Sequence, residues 1–333
     1  MLGPLIIDVA GTSLTGEEAE KLAHPWVGGV ILFSRNFADR AQLMALTCEI
    51  HAVRPGLAQS DHERLKISVD HEGGRIQRFR DGFTALPSFR SLGECLQSGC
   101  GAAELTAACD QARQAAFTLA SELKAVGVDF SYTPVLDLDY GQSQVISDRS
   151  FHRDENLVSA LAEATMAGLA QAGFKNCGKH FPGHGWASAD SHHALPVDDR
   201  DLQTILLQDI LPYLRLGSGA YGQVPLTAVM PAHIQYTQVD DQPAGFSRVW
   251  LQDILRDRLG FDGVIISDDL AMAGAAVYDD VADRAQAAFE AGCDATLICN
   301  RPDLAERALD ELPRRLPDFL KATSRRNLDR LMP

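Results

Sequence analysis

The chain holds 333 residues, 46% hydrophobic and 23% charged, which is ordinary for a folded globular protein and excludes disorder, collagen and a long coiled coil. Its 45 Asp and Glu outnumber 30 Lys and Arg, and the net charge of −15 would repel nucleic acid and anionic membranes, so a partner must be gripped locally. No apolar run is long enough to span a bilayer, the sequence reads as lacking a secretory leader, and seven cysteines without a CxxC pair read as free thiols of a reducing cytoplasm.

Short β-branched runs bounded by Gly, Pro or Asp alternate with longer amphipathic stretches along the whole chain. Strands are expected at 5–9, 29–33, 66–69, 130–135, 176–178 (the weakest), 226–230, 264–267 and 295–299. Helices are expected between them. In one, Val158, Ala162, Met166 and Leu169 recur at helical spacing behind Asp154 as N-cap. Another spans 247–259, with Leu251, Ile254 and Leu255 on one face, Ser247 as N-cap and Gly260 as the left-handed residue after its end. No linker or composition shift divides the sequence. Eight strand-helix units in one domain predict an α/β fold, the single-domain (β/α)8 TIM barrel over 1–333. The long connections 87–101 and 183–197 are expected to be functional or mobile.

Polar residues follow each expected strand: Asp8; Arg35 and Asn36; Asp70, His71 and Glu72; Asp137 and Asp139; Lys179 and His180; His233; Asp268 and Asp269; Asn300. In a closed barrel these positions converge on one face. Some are equally suited to capping helices or bonding across the rim.

The densest stretch runs Lys179-His180-Phe181-Pro182-Gly183-His184-Gly185-Trp186, then Asp190-Ser191-His192-His193. One reading makes it a zinc site of His180, His184 and Asp190 or His192, but the spacing fits no compact ligand motif, and Pro-Gly breaks the helix that an HxxxH pair needs. Another is acid/base chemistry. Asp190 and His192, two apart on extended chain, project to one side, so the carboxylate can orient the imidazole and favour its cation. A carboxylate at the rigid end of a buried strand would complement it as nucleophile, and Asp268, Asp269 and Asp70 are all candidates.

The runs Val69-Asp70-His71-Glu72-Gly73-Gly74-Arg75-Ile76-Gln77-Arg78, Ser147-Asp148-Arg149-Ser150-Phe151, Lys179 to Gly185, Asp190-Ser191-His192 and Ser267-Asp268-Asp269-Leu270 resemble, in order, the motifs of glycoside hydrolase family 3. The likeness is to its one-domain bacterial β-N-acetylglucosaminidases of peptidoglycan recycling, with His71 where relatives usually carry Gln. The resemblance implies a retaining mechanism with Asp268 as nucleophile and His192, held by Asp190, as acid and then base. It further implies that Asp70, Arg78, Arg149, Lys179 and His180 hold the hydroxyls of the sugar, with Met230 and His233 lining the pocket. The implied substrate is a muropeptide-derived anhydro-disaccharide. The implied enzyme is cytoplasmic and monomeric, needs no cofactor or metal, and has no nucleic-acid or membrane partner.

Overall fold

A computed structural model describes residues 2–54, 64–187, 195–217, 224–322 and 328–331. Eight parallel strands form the expected barrel: β1 (Leu5–Asp8), β2 (Val27–Leu32), β3 (Lys66–Val69), β4 (Phe130–Ser131), β5 (Cys177–Phe181), β6 (Ala228–Pro231), β7 (Val264–Asp269) and β8 (Ala295–Ile298). Each pairs with its neighbours in sequence, and β8 returns to β1 with Thr296 opposite Leu5. The strands are buried along nearly their whole length, as expected of a parallel sheet covered on both faces, and this is why they read as continuous apolar runs.

The join between β4 and β5 closes the ring. The expected strand at 130–135 is regular only at Phe130–Ser131, because Pro134 has no N–H to place in a ladder. Pairing resumes beyond it. The Cys177 and Lys179 N–H groups donate to the Thr133 and Pro134 carbonyls at 2.8 and 3.2 Å, and the Leu136 N–H donates to Lys179 O at 2.7 Å. Pro134 therefore contributes its carbonyl, which is all that this register asks of it. The weakest expected strand, 176–178, proves to be the longer β5.

Acidic side chains that give the chain its charge also start its helices. Asp39, Asp154, Asp201 and Asp280 each accept an N–H of the first helical turn, and Thr15 and Glu18 form a reciprocal capping box. The helix over 247–259 is present as Val249–Arg258, with the Ser247 hydroxyl accepting the Trp250 N–H at 3.1 Å and Gly260 at φ 70°. Its winding differs from the expected 3.6-residue period. Leu259 N–H bonds Ile254 O, five residues back, at 2.9 Å, a wider coil that still buries Trp250, Leu251, Ile254 and Leu255. No helix among the described residues is long and apolar enough to cross a membrane.

The helices Ala102–Ala125 and Glu155–Gln171 pack closely, and Gly168 permits their approach. A Cβ there would stand 2.1 Å from the Arg113 carbonyl oxygen and 3.0 Å from the Ala116 Cβ. Gly168→Ala gains about 1 kcal/mol of helix propensity but must push the helices apart, which costs about 1–3 kcal/mol. A lowered urea midpoint with unchanged slope is expected; a raised midpoint would show that the helices separate freely.

Candidate active site

The strand ends surround a cavity of about 400 Å³ lined by Asp70, Arg78, Arg149, Lys179, His180 and Asp268, with Phe33, Tyr132, Met230, Met272 and Leu297 as its apolar wall. In a regular strand only alternate residues face one side. Here the ladders between β5 and β6 and between β7 and β8 each shift register at the strand end, between Lys179 and Phe181 and between Ile266 and Asp269. Such irregularities re-aim neighbouring side chains, so Lys179 and His180, and likewise Asp268 and Asp269, all reach the cavity.

Lys179 is 1% exposed, and its ammonium lies 2.7 Å from both Asp70 Oδ1 and Glu72 Oε1. Glu72, also buried, receives Arg149 in a fork, Nε to Oε2 at 2.9 Å and an Nη2 to Oε1 at 2.8 Å. Burial alone would raise the Glu72 carboxyl, but Arg149 and Lys179 hold it far below the usual carboxylate range. Arg78 stands 3.8 Å from Asp70, which keeps about a quarter of its side chain exposed toward the cavity. Pairing among these groups and access to the cavity therefore coexist.

His180 Nδ1 lies 2.7 Å from Asp137 Oδ2, and the same carboxylate accepts the backbone N–H groups of His180 at 3.1 Å and His184 at 2.6 Å. Asp137 is wholly buried beneath the Lys179 to Gly185 run and orients the His180 ring from below. His184 is buried too, and burial followed by repulsion from His180 lowers it to about 4, so it is neutral near pH 7.

The three candidate carboxylates separate by their bonding. Asp70 is engaged by Lys179. Asp269 Oδ1 accepts the N–H groups of Ala271 at 2.9 Å and Cys299 at 3.1 Å, tying the ends of β7 and β8 together, and burial pushes its carboxyl up to about 6. Among the described residues Asp268 accepts one side-chain hydrogen bond, from the Asp269 N–H to Oδ1 at 2.8 Å. Burial would raise Asp268, but the His180 and His233 imidazoles, that N–H and the Lys179 ammonium outweigh it, leaving the carboxyl below its ordinary value. An ionised, partly buried carboxylate therefore lines the cavity, its Oδ2 bonded by none of the described residues.

Of the other expectations, that for His233 needs correction, and the remaining strand-end residues divide between the cavity and the rim. Met230 lines the cavity, but His233 does not. It stacks on Phe246, and its Nε2 lies 3.1 Å from the Asp269 carbonyl, which makes it a brace for the end of β7. Asn36 is buried, with its amide on the Val9 and Gly11 carbonyls, and Asp139 is paired with Arg90. His71 lies among Phe79 and Phe83, and burial, then Arg78 and Arg80, lower it to about 3, so it is a neutral core residue. Asp190 and His192 lie outside the described residues. Glu72 and Asp137, each holding two cavity residues, stood in the sequence as members of the polar ring at the strand ends, with no catalytic or sugar-binding role assigned. Their only signal was a carboxylate at a strand end with no helix start beside it.

The family model described as the glycosyl hydrolase family 3 N terminal domain matches residues 5–321. The chain belongs to glycoside hydrolase family 3. It is 55% identical over 311 residues to a protein named beta-hexosaminidase of Bordetella avium, covering 93% of this chain and 84% of that one. It is 55% identical over 320 residues to a protein of that name from Aromatoleum aromaticum, covering 96% and 84%. Its fold matches the crystal structure of Neisseria gonorrhoeae NagZ in complex with N-trifluoroacetyl-D-glucosamine, with a TM-score of 0.83, 47% identity, and 93% and 85% of the two chains covered. The protein is thus a glycoside hydrolase built as a TIM barrel.

Glu72→Gln leaves the Lys179 and Arg149 charges without a shared anion, and removing one partner of a buried pair costs about 3–5 kcal/mol. Guanidinium unfolding is expected to record a loss of that order. A loss below about 1 kcal/mol would mean the cluster behaves like an exposed pair.

Proposed function

We propose that this glycoside hydrolase is an exo-acting β-N-acetylglucosaminidase that works by retention through a covalent glycosyl-enzyme. The observation that carries the reading is the Asp268 carboxylate, kept ionised at the cavity floor opposite a wall of sugar-binding donors and acceptors. The names of the relatives support the choice of N-acetylhexosaminide.

Asp268 attacks the anomeric carbon as the glycosidic C–O bond breaks, and His192, held by Asp190, gives its proton to the departing oxygen. His192 then takes a proton from water as that water attacks the anomeric carbon and releases the Asp268 carboxylate. Asp70 accepts protons from hydroxyl groups of the ring, while Arg78, Arg149, Lys179 and His180 donate to its oxygens. Lys179 and Arg149 are already paired with Asp70 and Glu72, and a wall whose charges are met in this way suits a neutral polyol. The natural substrate proposed is the terminal N-acetylglucosamine of muropeptide-derived N-acetylglucosaminyl-1,6-anhydro-N-acetylmuramic acid, with or without its peptide. This would place the protein in cytoplasmic peptidoglycan recycling, as a one-domain monomer that uses no metal.

A 5-fluoro N-acetylglucosaminide is expected to accumulate as an ester on the peptide containing Asp268, read by mass spectrometry; a label on another residue ends the assignment. Asp268→Ala is expected to abolish nearly all turnover. His192→Ala is expected to lower kcat/KM, which reports the step up to the glycosyl-enzyme, by about 10²-fold or more on an alkyl N-acetylglucosaminide while largely sparing kcat/KM on a dinitrophenyl one, whose leaving group needs no proton. Equal losses on both substrates would contradict the acid role.

A further inference from the structure

Arg200 occupies an unusual place. It follows β5 by a long connection, its side chain is only 8% exposed, and it touches nothing in the sugar-binding cavity. Its guanidinium is held on every edge. Nε donates to Asp198 Oδ1 at 3.0 Å, Nη2 to Asp198 Oδ2 at 2.6 Å, and Nη1 to Asp209 Oδ2 and the Tyr140 hydroxyl, both at 2.9 Å. The Tyr140 and Trp186 rings both lie against it, their centroids 4.8 Å from the guanidinium carbon, and meet each other edge to face at 5.3 Å. A planar guanidinium makes forked pairing and stacking together; an ammonium does not.

The sequence positions of these partners matter more than their number. Trp186 stands just before residues 188–194 and Asp198 just after them, and those residues include Asp190 and His192. Arg200 thus grips the chain on both flanks of that segment and fixes both flanks to Tyr140 and Asp209. Neighbouring contacts repeat the pattern. Val197–Asp198 pairs in parallel with Gln235–Tyr236, and the Tyr236 hydroxyl donates to the Gly183 carbonyl at 2.9 Å. Gly183 lies against Asp209, where a Cβ would stand 2.6 Å from Oδ1, and Gly185 lies so close to the Leu138 carbonyl that no Cβ fits.

We propose that Arg200 is a positioning residue for the acid/base half of the reaction, acting through the two flanks it joins. The inference rests on the assignment of His192 made above. Loss of the clamp leaves Asp268 and the sugar-binding cations in place, since none of them touches Arg200, and degrades proton delivery alone. Small displacements of a catalytic group are costly, up to about 10²-fold for roughly 1 Å.

Arg200→Lys keeps a cation beside Asp198 and Asp209 but loses the fork and the flat stack. Trp186→Leu removes one ring and leaves every ion pair intact, so it tests the clamp even where a variant at 200 fails to fold. Both are compared with wild type and His192→Ala on an alkyl and a dinitrophenyl N-acetylglucosaminide, with N-acetylglucosamine inhibition measured alongside. The expected result is a loss in kcat/KM of about tenfold or more on the alkyl substrate, with little change in kcat/KM on the dinitrophenyl substrate or in inhibition. A wild-type rate on both substrates, or equal losses on both, overturns the role of Arg200. Should His192→Ala itself lack the leaving-group selectivity, the acid assignment fails instead, and the two failures are told apart by that one comparison.

Discussion

The shared ion pairing of Glu72 is the constraint on which the barrel mouth depends. Lys179 is an ammonium taken almost wholly out of water, a state tolerated only with anions at hydrogen-bond distance. Glu72 supplies one and Asp70 the other, and the fork from Arg149 ties the segment after β4 to the ends of β3 and β5. Lys179, Arg149 and Asp70 thereby have their rotamers set by partners before any ligand arrives. A neutral sugar offers only hydroxyl and amide groups, so its orientation depends on donors and acceptors already in place. The same pairing explains why so charged a wall can face a neutral ligand.

Most of the barrel was legible because parallel strands buried on both faces must be apolar throughout and must end at Gly, Pro or polar residues. The strands around Ile6, Val30, Ile67 and Ile265 satisfy this, and their limits shift by only one or two residues. Legibility fails where a strand carries chemistry. In β5, Lys179 and His180 interrupt the apolar run because they serve the cavity, so the strand looked shorter and weaker than it is. Beyond β4, Pro134 falls within the expected strand 130–135, yet its missing N–H limits the regular pairing to two residues. The helix at Val249–Arg258 shows a subtler limit, since its apolar face was visible while its five-residue hydrogen bonding was not.

The site was legible as a set of residues and illegible as a set of bonds. Short motifs named Asp70, Lys179, His180 and Asp268, but the choice among Asp70, Asp268 and Asp269 turns on what each carboxylate already binds. Those partners lie far off: Lys179 is 109 positions from Asp70, and the Cys299 N–H is 30 positions from Asp269. Arg200 illustrates the same limit from the other side. In the run Asp198-Asp199-Arg200-Asp201 no motif singles it out, and the fold brings Tyr140 and Trp186 against it. Asp137 likewise reads as a strand-end carboxylate until three N–H groups are seen to converge on it.

The electrostatics of the floor then divide the labour of the proposed reaction. Because His180, His233, the Asp269 N–H and Lys179 together outweigh the burial of Asp268, its carboxyl titrates below the ordinary aspartate range. A depressed carboxylate stays ionised as pH falls past the point where a free aspartate would take up its proton, so Asp268 needs no activation near neutrality. An imidazole, by contrast, changes charge at about pH 6.5 when unperturbed. Under the proposed assignment the nucleophile is silent over the physiological range, and the proton inventory of catalysis falls to His192 and its Asp190 partner. The proposed pairing of an aspartate with a histidine, where many retaining glycosidases use two carboxyls, is then an electrostatic economy. Two carboxylates facing one cavity would each raise the other's affinity for protons. A carboxylate facing a protonated imidazole is stabilised as an anion, so the attacking and donating states favour one another.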